Sequence, residues 1–81
     1  MTNYTSDQAV LAQIERLLAE EHRMYERGKL SDADRIRLKE ISVELDQLWD
    51  LLRQRRALRE FGKDPNEALI RPPEVVEKYK G

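Results

Sequence analysis

An 81-residue chain with 38% charged and 6% aromatic residues has room for one small domain and excludes a second core, which would need roughly another 50 residues. Fifteen Lys and Arg against sixteen Asp and Glu leave a formal charge of −1, so no net field draws the whole molecule to nucleic acid or to an anionic membrane. The chain has no Cys, which excludes disulfides, thiolate metal sites and a sulfur nucleophile, and leaves the fold to hold by burial.

The N-terminal stretch Met1 to Ser6 is polar and does not read as a secretory signal. The longest apolar run, Ala9 to Ala12, is far too short to span a bilayer. The expected location is cytoplasmic, with no membrane partner. From Asp7 to Arg27 the apolar residues Val10, Leu11, Ile14, Leu17, Leu18, Met24 and Tyr25 recur at three- and four-residue steps, which predicts a helix over 7–27. Thr5 and Ser6 can each cap its free amides, and Asp7 adds negative charge to its first turn. Gly28 ends it.

Ser31, with Asp34 three positions on, forms a capping box with Asp in place of Glu and starts a second helix over 32–61. Leu38, Ile41, Leu45, Leu48 and Leu52 alternate three- and four-residue steps, and Trp49, Leu51, Leu58 and Phe61 widen the stripe. The intervening turn is so short that the helices must pack antiparallel, with Leu18 facing Ile41, Ile14 facing Leu45 and Val10 facing Leu48. Counted outward from that turn, Arg53 to Arg59 overhang the start of the first helix, and Leu58 and Phe61 need another cover. Gly62 stops the second helix. Asp64 and Pro65 start a short helix over 65–70, and Pro72-Pro73 forces an extended path into a tail, 71–81, where Pro73 can open a final turn whose Val75, Val76 and Tyr79 can dock on the end of helix two. The predicted fold is all-α, a single domain over 1–81 built as an antiparallel αα-hairpin with a short C-terminal helix and tail.

Charge along the second helix is lopsided. Asp32 to Asp50 holds six acids and three bases, net −3; Leu51 to Phe61 holds Arg53, Arg55, Arg56 and Arg59 against Glu60, net +3. Both ends oppose the helix dipole favourably, and pairs such as Asp50 with Arg53 are expected. The same cluster is a candidate surface for a protein partner or an anionic ligand, with weak nucleic-acid binding the disfavoured alternative. Symmetry adds a further expectation. Two copies of helix two, antiparallel about a two-fold between Leu48 and Trp49, bring Leu45 to Leu52, Arg53 to Glu44, and Arg56 to Ile41 beside Glu40, so Leu45, Leu48, Trp49 and Leu52 are the candidate interface of a homodimeric four-helix bundle.

Candidate chemistry is sparse. Glu20, Glu21 and His22 point about 100° apart on a helix and cannot converge on one ion, and His22 has Ala19 where a di-iron helix carries Glu. Glu21 lies within the apolar stripe opposite Arg37; the two form a candidate register-setting ion pair, with a ligand or base role for Glu21 as the alternative. The three glycines lie too far apart for a phosphate loop, and two of the three serines are caps. No catalytic residue, metal ligand or cofactor site is assigned, and the chain reads as non-enzymatic.

Two resemblances bear on this reading. LDQLWDLLRQRRALREFG at Leu45 to Gly62, LLAEEHR at Leu17 to Arg23 and RPPEVVEKY at Arg71 to Tyr79 together resemble a small actinobacterial family known only as a domain of unknown function. That resemblance covers nearly the whole chain and implies that the Arg-rich end, the Asp-Gln-Leu-Trp-Asp segment and the Pro-Pro tail form one module. Leu51-Leu52 with Arg55, then Gly62 and Lys63, are also similar to the first helix of the all-helical chorismate mutases, which implies an anion site at the Arg cluster. The further long helices of those enzymes have no counterpart in the nineteen residues after Gly62.

Overall fold

The computed structural model describes residues 6–77. Two long helices, α1 (Asp7–Glu26) and α2 (Asp32–Glu60), are followed by a 3-10 turn (Pro65–Glu67) and a short helix, α3 (Pro73–Glu77); no strand occurs among the described residues. Ser6 caps α1, its hydroxyl accepting from the Ala9 N–H at 3.1 Å. Thr5, the other candidate cap, lies outside the described residues, as does Tyr79.

At the turn, the predicted capping box is complete. The Ser31 hydroxyl accepts from the Asp34 N–H at 3.1 Å, and the Asp34 carboxylate accepts from the Ser31 N–H at 3.0 Å. The bond from the Ser31 N–H is the main reason that the Asp34 carboxyl lies below its usual pKa. Both helix stops use glycine at positive φ, Gly28 at 79° and Gly62 at 73°, where a side chain would be strained.

Val10, Ile14, Leu17 and Met24 of α1 pack with Ile41, Leu48 and Leu51 of α2 in one buried cluster, bordered by Leu30, Leu38, Leu45, Leu52 and Ala68. The helices run antiparallel, since Asp7 at the start of α1 reaches Arg55 while Glu20 near its end reaches Arg37. Leu18, expected opposite Ile41, instead turns to the surface and is 43% exposed. The core line of α1 runs through Val10, Ile14 and Leu17, and residue 18 lies about 100° from residue 17.

The C-terminal segment departs from the predicted helix over 65–70. Asp64 caps a single turn, accepting from the Asn66 N–H at 2.9 Å, and from Ala68 the chain is extended. Pro72 biases Arg71 away from helix, and the Leu69 N–H and C=O bond to the side chain of Gln54 instead of to a next turn. This extended stretch and α3 lie along α2, where Val76 is buried. Leu58 is half-buried, but nothing among the described residues covers Phe61.

Candidate interaction surfaces

The arginine cluster divides in two. Arg55 is buried, donating from Nε to Asp7 Oδ1 at 2.7 Å and from Nη1 to Asn66 Oδ1 at 2.9 Å and the Pro65 carbonyl at 3.3 Å. Arg59 closes on both oxygens of the same Asp7, at 3.0 and 2.7 Å. The Asp7 carboxyl is thereby lowered to about 2, first by the hydrogen bonds from Arg59 and then by those from Arg55. Long guanidinium side chains reach back along the overhang and tie α1, α2 and the 3-10 turn into one joint. Arg55 is therefore a structural hub and not part of an open surface, and the anion site implied by the mutase likeness loses its arginine. Arg53 and Arg56 are exposed and form no ion pair with a described residue.

A second constellation has no counterpart in the sequence reading. Gln47, Asp50 and Gln54 lie three and four residues apart on one side of α2, and all three hold the C-terminal segment. The Gln47 amide donates to the Arg71 carbonyl at 3.0 Å. The Gln54 amide donates to the Leu69 carbonyl at 2.8 Å and accepts from the Leu69 N–H at 3.3 Å. Asp50, 1% exposed, takes Arg71 in a two-point contact, Nε to Oδ2 at 2.8 Å and Nη2 to Oδ1, with a further bond from Gln54 at 2.8 Å. The Arg71 contact holds the Asp50 carboxyl below its usual pKa against the opposing effect of burial. The expected partner of Asp50 was Arg53, one turn away; the actual partner lies 21 residues on. The sequence signal was available as polar residues recurring at helical spacing between leucines, but it does not name the segment they bind.

The register pair is shifted by one residue. Arg37 grips Glu20, not Glu21, with Nε and Nη2 at 2.6 and 2.8 Å from its two oxygens. This contact lowers the Glu20 pKa and raises that of Arg37, which also feels Glu40 and Glu44. Counting from the turn gave the right height along the helix, but one residue is about 100° of rotation, enough to put Glu21 toward the other side of the hairpin.

That other side is apolar and open. Of the candidate interface residues, Leu48 is only 2% exposed and belongs to the hairpin's own core, so it cannot form the contact expected of it. Leu45 and Leu52 are half-buried, and Trp49 is 46% exposed. Leu11, Leu18 and Tyr25, exposed and spaced seven apart, line α1 roughly 85° round from its core stripe. Leu38, Leu45, Trp49 and Leu52 lie roughly 40–100° round α2 in the same rotational sense. In an antiparallel pair, equal rotational sense places both lines on one face of the hairpin. The opposite sense leads to Glu20 and Arg37, which meet, and on α2 to the docked C-terminal segment.

Among the described residues no three His, Asp or Glu side chains gather in a way that could hold a metal ion, and no helix is long and apolar enough to cross a membrane. Residues 6–81 match a family described as a protein of unknown function, DUF2630. Uncharacterized proteins of Mycobacterium bovis and of two Mycobacterium tuberculosis strains are each 48% identical to the chain over 80 residues, covering 94% of it and 92% of their own length. No solved structure matches. The match runs through both long helices, the 3-10 turn and α3, and its mycobacterial relatives agree with the actinobacterial resemblance of the three sequence blocks: the chain belongs to the DUF2630 family of proteins of unknown function.

Proposed function

We propose that the chain is a non-enzymatic helical interaction module that works as a homodimer, a second copy covering the open face of the hairpin to form a four-helix bundle. One observation carries this reading. Leu11, Leu18, Tyr25 and Trp49 are each 40–58% exposed on a single face, while the only free segment of described chain is already bonded to the other side of α2. The described C-terminal segment therefore leaves that face open, and a hairpin this small gains from an isologous partner. Leu45, Trp49 and Leu52 supply the apolar centre, and charged residues rim it.

Sedimentation or light scattering at micromolar concentration tests the reading. The expected result is a two-chain particle that Trp49→Glu converts to a helical monomer; a folded 9.6 kDa monomer of the unaltered chain overturns it.

The second reading, a weak nucleic-acid or anionic-ligand binder, now rests on Arg53 and Arg56. Arg53 borders an open groove of about 390 Å³ whose other cation, Arg71, already neutralises Asp50. Two phosphate contacts would give a log–log salt slope of only about −1.4 to −1.8. A titration at two salt concentrations that shows no nucleic-acid binding removes this reading and leaves the dimer untouched.

A further inference from the structure

A second hairpin can cover the open face in two ways: each α1 can lie on the other copy's α2, or like helices can lie on like. We infer that the pairing is α1 on α2, with the two-fold axis parallel to the helices; this rests on the self-association reading above and specifies its geometry.

Charge on the outer flanks separates the two arrangements. Beyond Leu11 and Leu18, the flank of α1 carries Glu15, His22 and Glu26 and no Lys or Arg. Beyond Trp49, the flank of α2 carries Arg35, Lys39 and Arg53, with Asp46 half-buried among them; Glu60 shares this flank but lies in the overhang past the start of α1. Like-on-like packing sets the acidic flank against itself and the basic flank against itself. It also loses the Arg53–Glu44 contact expected of antiparallel α2-on-α2 pairing, because Glu44 lies on the same side of α2 as Arg37, away from the open face. Packing α1 on α2 sets acid against base twice, once for each symmetry-related contact.

Heights along the helices agree. A two-fold parallel to the helices leaves axial level unchanged, so the levels within one hairpin also hold between copies. Arg27 bonds Asp34, which sets Glu26 level with Arg35; Glu20 bonds Arg37, which sets Glu15 level with Ser42, Leu18 beside Leu38, and Leu11 between Leu45 and Trp49. The apolar residues of the α1 line therefore fall on the apolar line of the second copy's α2, and Glu26 falls on its Arg35. This up-and-down arrangement, with every neighbouring helix antiparallel, is a common four-helix geometry.

The absence of native Cys makes the test direct. Glu15→Cys and Ser42→Cys, both at exposed positions, are purified separately with tags of different mass, mixed, and treated with a short bis-maleimide. The expected product is a mixed covalent dimer from the two variants together, and at least tenfold less from either alone, because identical positions sit on opposite edges of the bundle. Linking of either variant to itself at comparable yield overturns the pairing. So does the absence of mixed product from a sample that light scattering shows to be dimeric, and in that case self-association itself stands. A sample that light scattering shows to be monomeric overturns both.

Discussion

The two flanks of α2 solve the problem of cover in opposite ways. On one, Gln47, Asp50 and Gln54 are polar, satisfied by named backbone and side-chain atoms of residues 69–71, and the carboxylate at the centre is almost fully buried. On the other, Leu38, Leu45, Trp49 and Leu52 are apolar and partly open. Hydrogen-bonding groups are directional, so the polar flank accepts one segment in one register. Apolar surface is not directional, and the open flank needs only a complementary apolar line with matching charges beside it. Burial in this chain is therefore not confined to its leucine stripe: an aspartate is among the best-covered side chains, because its main partner, Arg71, lies in the C-terminal segment.

The largest expected effect comes from breaking the polar flank on its more exposed side. Arg71→Ala strands the Asp50 charge in a dry site and should cost about 3 kcal/mol in urea unfolding. Asp50→Ala leaves an Arg71 that can swing into water, and should cost about 1–2 kcal/mol. Equal losses would mean that the pair is not desolvated in the way described.

On the apolar flank, Trp49→Ala should weaken dimerisation by about 2 kcal/mol, roughly 30-fold in the dissociation constant, while leaving limited proteolysis of the 68–76 segment unchanged. Arg71→Ala should do the reverse, speeding cleavage there. If both substitutions moved both readouts, the flanks would not be independent.

Acid sharpens the contrast in the same direction. Asp7 titrates at about 2, below its ordinary 3.8, and Asp50 is likewise depressed, so each favours the fold more strongly when ionised. Their contribution is complete above about pH 4; that of Asp7 is lost as pH falls toward about 2, and that of Asp50 is lost as pH falls through its own depressed pKa. Thermal melting between pH 6 and pH 2.5 should show a flat midpoint followed by a fall below about pH 4, and Asp7→Asn should make that fall shallower.

The smallest effects belong to the exposed arginines. Arg53→Ala and Arg56→Ala should each change monomer stability by less than about 0.5 kcal/mol, whereas Arg55→Ala should cost about 2 kcal/mol by chemical denaturation. Comparable losses at all three would contradict the division of the cluster.

Much of this architecture is legible in the residues alone. Periodicity gave both helices, Ser31 and Asp34 gave the capping box, and Gly28 and Gly62 gave the stops, because each acts through neighbours within a few residues. The open face is half legible: spacing points to Leu45, Trp49 and Leu52, but Leu48 belongs to the hairpin's own core, and the single apolar stripe of α1 does not separate Leu11, Leu18 and Tyr25 from the residues that face α2. A stripe wider than one contact does not say which of its edges is covered. The arginine run failed for a related reason, since four adjacent guanidinium groups look alike until a carboxylate such as Asp7, 48 residues from Arg55, is placed beside two of them.

Residue spacing and capping alone specify two amphipathic helices, the tight turn between them and the antiparallel sense that the turn imposes, and composition excludes cysteine chemistry. That Arg37 takes Glu20, that Asp50 belongs to Arg71, that Arg55 is a joint, and which flank of α2 stays open all emerge from packing in three dimensions. Local bonding follows from residues a turn apart, whereas choice of partner depends on rotations of about 100° per residue, and a one-residue slip in counting changes the face on which a side chain emerges.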